Sequence, residues 1–168
     1  VVNIPRGWLI RAGLLAVLVA GVAYWRWPRP EREVRRRFEL LSNWVSKEPG
    51  ETTSVMVYKT QRLGELFADP CTLEVDRYGL AGTYSPEEIS SHAARARPMV
   101  ARMTLSFHDL HIRFPTKDSA EVEFTARWVA ESDTGGPIEE TAEVVGQVRR
   151  VDGKWLFHHF REVPVLRR

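Results

Sequence analysis

Much of the C-terminal half of this chain alternates apolar and polar side chains with a period of two, so it must form a sheet with one face buried. Ala120, Val122, Phe124, Ala126 and Trp128 share one face, and Glu121, Glu123, Thr125 and Arg127 the other. After the Gly135-Gly136-Pro137 loop the pattern repeats at Ala142, Val144, Gly146 and Val148. An earlier strand carries Leu105 and Phe107, then changes parity to Leu110, Ile112 and Phe114, which predicts a bulge at His108-Asp109. Asp152-Gly153 is a tight hairpin signal, and Trp155 to Val163 is the last strand.

The preceding segment is helical. Val34, Phe38, Leu41 and Val45 form one helical stripe ended by Pro49-Gly50. A second helix is expected over Thr53 to Phe67, burying Val55, Leu63, Leu66 and Phe67. A strand over Cys71 to Asp76 then turns through Arg77-Tyr78-Gly79 into Leu80 to Thr83. Ser85-Pro86-Glu87-Glu88 is a capping box with proline at the first helical position, and it opens a third helix with an inner stripe of Ile89, Ala93, Ala96 and Val100, thinned by Pro98. Helices followed by an antiparallel meander predict an α+β fold, with the helices on one face of a curved, mainly antiparallel sheet. Residues 31–168 form this single domain, because 168 residues hold only one core of ordinary size.

Charge divides the chain differently. Residues 1–37 hold eight arginines and two glutamates, which leaves 16 basic and 20 acidic side chains (24 less 8, 22 less 2) for residues 38–168. A body with net charge −4 lacks the basic footprint of a nucleic-acid binder. The lone Cys71 has no second thiol and no ligand-spaced His/Cys cluster beside it, so it reads as a small buried residue, and no metal or cofactor is expected.

Residues 1–30 read as a targeting segment. The uncharged run Ala12 to Trp25 extends to 20 residues over 8–27 if Arg11 snorkels, with Trp8, Trp25 and Trp27 at the interfaces and Pro28 and Pro30 ending the helix. A single-pass inner-membrane anchor is the main reading. A signal peptide cleaved near Gly21-Val22-Ala23 and a buried core helix are its alternatives. The arginine count places the domain in the cytoplasm and the signal-like layout places it outside; the extracytoplasmic side is favoured.

Gly82-Thr83-Tyr84-Ser85-Pro86-Glu87-Glu88-Ile89 and Asp152-Gly153-Lys154-Trp155, in this order of elements, resemble the superfamily of nuclear transport factor 2, ketosteroid isomerase and the SnoaL-like cyclases over Glu31 to Val165. The resemblance implies a cone closed by helices over a concave sheet. It places Val75 where the isomerases carry a general-base aspartate, with Cys71 and Leu73 also inward and Glu74 and Asp76 outward. Continuing the parity of Trp155 and Phe157 puts His159 inside the cone, so Tyr58, Trp128, Trp155, Phe157 and His159 are the candidate ligand-binding residues. Val75 cannot accept a proton, and no catalytic residue is assigned. The expected function is therefore a membrane-anchored, non-enzymatic binding or assembly module for an envelope protein or small apolar ligand. It is expected to dimerise through an outer sheet face bearing Val145, Leu156 and Phe160. The alternative is a SnoaL-like isomerase, dehydratase or hydrolase with His159 as acid or base.

Overall fold

Val34, Phe38 and Leu41 are buried along α1 (Pro30–Val45) in the computed structural model, which describes residues 30–75, 80–132 and 136–163. The contacts divide the chain into two units, Val1–Arg32 and Glu33–Arg168, and the sheet lies in the second. The membrane helix expected over 8–27 lies outside the described residues. No helix among the described residues is long and apolar enough to cross a membrane.

Helix α2 (Thr53–Gly64) starts at Thr52, whose side chain accepts a hydrogen bond from the Val55 amide. It ends three residues before Phe67, which opens strand β1 (Phe67–Val75). Leu66 and Phe67 are buried as expected, but Phe67 is buried in a strand, and Val55 is exposed. Strand β2 (Leu80–Tyr84) leads into α3 (Pro86–Ala96), where both bonds of the capping box form: Glu88 N–H to Ser85 Oγ and Ser85 N–H to Glu88 Oε2. Pro98 falls in a 3₁₀ turn, Arg97–Met99, that ends the helical run.

Four long strands follow: β3 (Arg102–Thr116), β4 (Ser119–Glu131), β5 (Pro137–Val151) and β6 (Lys154–Val163). The sheet order is β2-β1-β6-β5-β4-β3, antiparallel throughout except for the parallel β1–β6 pair. The register of β3 shifts between His108 and His111, and Asp109 adopts φ 54°, so the expected bulge is present. Asp152 and Gly153, with φ 48° and 78°, make the tight turn between β5 and β6.

Phe38 joins helices to sheet. Its ring lies 5.2, 4.9 and 5.0 Å from those of Phe107, Phe124 and Phe157, all edge-on. The face of the sheet under α1, here called inner, is thus filled by a continuous aromatic stack that also takes in Phe67 and Phe160. This corrects the expectation of an inner surface lined for a ligand at Phe157, because that ring is fully buried among other rings. It also removes Phe160 from the outer face, where it was expected to support self-association.

The end of α1 is held by a buried cation. Arg97 donates to the carbonyls of Trp44 and Val45, both at 2.9 Å, and of Ser46 at 3.0 Å, the acceptors that a helix C-terminus leaves open. Ser42 Oγ and the Lys47 backbone then tie the same segment to Leu105 and Met103 of β3.

Candidate active site

The feature that positions the site is one extra residue in β6. Val148 of β5 is opposite Phe157, and the next residue back, Gln147, is opposite His159, so His158 has no counterpart. Such a bulge changes the parity of everything after it. Trp155, Phe157 and Phe160 are buried on the inner face, and His159 turns to the outer face. The expectation that His159 shares the cone with Trp155 and Phe157 is corrected on this ground.

On β1, Cys71 and Leu73 face the core and Val75 shares their parity, while Thr72 and Glu74 face outward. The parallel register sets Thr72 beside His159 and Glu74 beside Arg161. Glu74 leans across to the imidazole: Oε1 lies 3.1 Å from His159 Nε2, an ion-pair distance. Nε2 nonetheless satisfies no hydrogen-bond geometry and is covered from solvent, whereas the Glu74 side chain is 51% exposed. The pair therefore has an inner member, His159, and an outer member that solvent reaches, Glu74.

The remaining candidates are dispersed. Tyr58 is half exposed on α2, edge-on to Trp44 at 5.7 Å and under the Arg62 guanidinium at 5.4 Å, so it is not a cone residue. Trp128 keeps the inner parity but is only half-buried, opposite Leu105 and Glu140 toward the end of β4. Trp155 is sealed in the core beside Phe114, its indole N–H without a partner. Cys71 is fully buried, and burial pushes its thiol up to about 12, which makes it inert as a nucleophile at neutral pH. Among the described residues no group of His, Cys, Asp and Glu is placed to hold a metal ion.

His158 fills the bulge with a buried, unpartnered Nδ1. Burial, and next the charge of Arg149, lower its proton affinity below the ordinary imidazole range.

Sequence reasoning missed Glu74 as the partner of His159 because it put the two on opposite faces. The signal that finds it is Phe157-His158-His159-Phe160, where two residues separate aromatics that strict alternation would separate by one.

No family model matches the sequence, and no curated protein matches it. Solved structures do share its fold. A hexachlorocyclohexane dehydrochlorinase (LinA, type 2) superposes with a TM-score of 0.64 at 18% identity, over 80% of this chain and 84% of that one. For a putative scytalone dehydratase from Novosphingobium aromaticivorans the values are 0.63, 14%, 82% and 85%. For a cystatin-like-fold protein of unknown function from Nostoc punctiforme they are 0.58, 17%, 79% and 88%. The chain thus shares with these proteins an α+β fold with a curved mixed sheet, the fold called cystatin-like in the last of them. The expectation of a non-enzymatic binding or assembly module is corrected by these neighbours, since the first two carry the names of enzymes.

Proposed function

We propose that this chain is a SnoaL-like enzyme that moves a proton on an apolar small molecule, as an isomerase or a lyase, with Glu74 and His159 as its acid–base pair. The 3.1 Å contact between Glu74 Oε1 and His159 Nε2 carries the reading. Glu74 is the member that a substrate can touch. Its carboxylate accepts a proton from a carbon next to an electron-withdrawing group, and the electron pair of the broken C–H bond becomes a C=C bond. In an elimination a leaving group departs with its own bonding electrons. In an isomerisation the proton returns at another carbon.

His159 supplies the second half of the step. Its ring nitrogen, 3.1 Å from Glu74 Oε1, is a second proton acceptor within reach of the carboxylate. Nε2 is covered from solvent and makes no hydrogen bond among the described residues. Two of the enzymes with this fold are named for eliminations, a dehydrochlorinase and a dehydratase, and this supports a lyase over a hydrolase.

The test is carbon-acid exchange in D₂O, followed by NMR for the full chain in nanodiscs with ketosteroids, polyketide-like enols and β-chloro or β-hydroxy ketones. Exchange or elimination by the parent should fall by about 10²- to 10⁴-fold in both Glu74→Gln and His159→Gln. A parent no faster than the variants on every compound would overturn the proposal.

We also propose that residues 8–27 hold the domain at a membrane, on the strength of the apolar run between Trp8 and Trp27. Full-length protein that stays in the supernatant after high-speed sedimentation of lysed cells would refute this.

A further inference from the structure

The outer face of the sheet treats its arginines in two ways. On β3 and β4 they are neutralised across strands: Arg113 reaches Glu121 at 2.6 Å and Glu123 at 2.7 Å, and Arg127 reaches Glu139 at 2.7 Å. Around the Glu74–His159 pair they are not. Arg161 is exposed, lies beside Glu74 in the register, and follows His159 by two residues on the same face. Glu74 turns from it toward the imidazole, and Arg161 has neither ion pair nor hydrogen bond among the described residues. Arg149 shares the outer parity of Gln147, the residue opposite His159, and is likewise exposed with no ion pair among the described residues. It lies close enough for its charge to depress the proton affinity of His158. Same-face neighbours on a strand are about 7 Å apart, so the two guanidiniums bracket His159 from opposite directions along the sheet.

We infer that the substrate of this site carries a carboxylate, held by Arg161 and Arg149 beside the Glu74–His159 pair. This rests on the acid–base reading of the pair and names the substrate class that reading leaves open. A guanidinium with free donors presents a planar fork that matches a carboxylate. Two of them, unpaired among the described residues, place guanidinium donors on either side of His159 where an anionic ligand can be held. The same cations stabilise the negative charge that builds up on a carbonyl oxygen when the adjacent carbon loses its proton.

The experiment measures binding separately from turnover. The full chain, labelled with ¹³C at histidine and held in nanodiscs of zwitterionic lipid, is titrated with benzoate and, separately, with its neutral isostere benzamide. The His159 Cε1–H resonance is identified by its loss in His159→Gln. Benzoate should shift this resonance saturably and benzamide should not, and Arg149→Gln/Arg161→Gln should weaken benzoate by about tenfold or more. No shift with benzoate, equal shifts with both probes, or an unchanged double variant would each overturn the inference. Benzoate binding that depends on the arginines, in a protein that catalyses no exchange, would uphold the anion site and remove the acid–base reading. Catalysed exchange with no benzoate preference would do the reverse.

Discussion

Arg97 grips Glu51 with two parallel hydrogen bonds, Nε to Oε1 and Nη2 to Oε2, both 2.8 Å long, and side-chain exposure is 1% for the arginine and 3% for the carboxylate. The remaining guanidinium donors go to the end of α1, and Lys59 adds a contact to Glu51 at 3.0 Å. This knot joins α1, the segment before α2 and the 3₁₀ turn after α3, and it is satisfied at every point described. Removing Arg97 leaves the buried Glu51 carboxylate with Lys59 alone and opens the carbonyls of Trp44 and Val45, while that of Ser46 keeps its hydrogen bond from Lys59. Arg97→Met should therefore cost about 3–5 kcal/mol, read from urea denaturation of the full chain. A loss below about 1 kcal/mol would show the knot to be no stronger than a surface pair.

The same knot predicts an acid-labile contribution. The Arg97 hydrogen bonds, the largest cause, hold the Glu51 carboxyl below the usual carboxylate range, against the opposing effect of burial. As the folded value is lowered, its stabilisation is complete above the unfolded value of about 4.3 and is lost as pH falls through the folded one. Glu51→Gln should be less stable than the parent at neutral pH, and the gap should narrow below about pH 4. A constant gap from pH 3 to 7, measured by urea midpoint, would contradict this.

His158 predicts a slope nearer neutrality. Burial first, and Arg149 second, lower its folded pKa. The unfolded chain then takes up this proton first as pH falls below about 6.5, so stability declines from there until the folded group also titrates. His158→Gln should flatten the dependence of the urea midpoint between about pH 5 and 7 relative to the parent.

Gly146 lies between Val122 and Phe160 in the register, on the inner face of β5. A Cβ there would meet Phe160 Cε1 at 3.0 Å and Phe124 Cε1 at 3.3 Å, so the glycine is the space that the two rings occupy. Gly146→Ala should cost about 1–3 kcal/mol by overpacking, and Phe160→Leu in the same chain should recover part of that loss. Equal or additive losses in a thermal melt would show that the ring does not need the space.

These contacts also mark where sequence patterns were sufficient. The capping box at Ser85 and the Asp152-Gly153 turn are local devices, in which nearby residues supply all the partners, and both form as read. The bulge in β3 was legible because Phe107 and Leu110 visibly break alternation. The bulge in β6 was equally legible from Phe157 and Phe160, but two histidines between them invited a chemical reading in place of a geometric one. Arg97 gave no local sign, because its partners lie 46 to 53 residues away in sequence. Nor did the pairing of Glu74 with His159, which depends on a parallel strand contact across about half of the chain.

The bulge makes its own prediction. Phe157 and Phe160 both face inward with two residues between them, so deleting one of the two histidines restores strict alternation and leaves every later side chain on its present face. The histidine that remains is outward, opposite Gln147 and beside Glu74. The single deletion should therefore melt cooperatively and keep Phe160 buried, as read by the protection of its amide and by side-chain NOEs to Phe124 and Phe157. Deleting both histidines makes the two phenylalanines adjacent, which forces one ring to the solvated face and breaks the stack around Phe38. That variant should lose cooperative unfolding. If the single deletion proved as damaging as the double one, the parity imposed by His158 would not be what decides which side of the sheet His159 occupies.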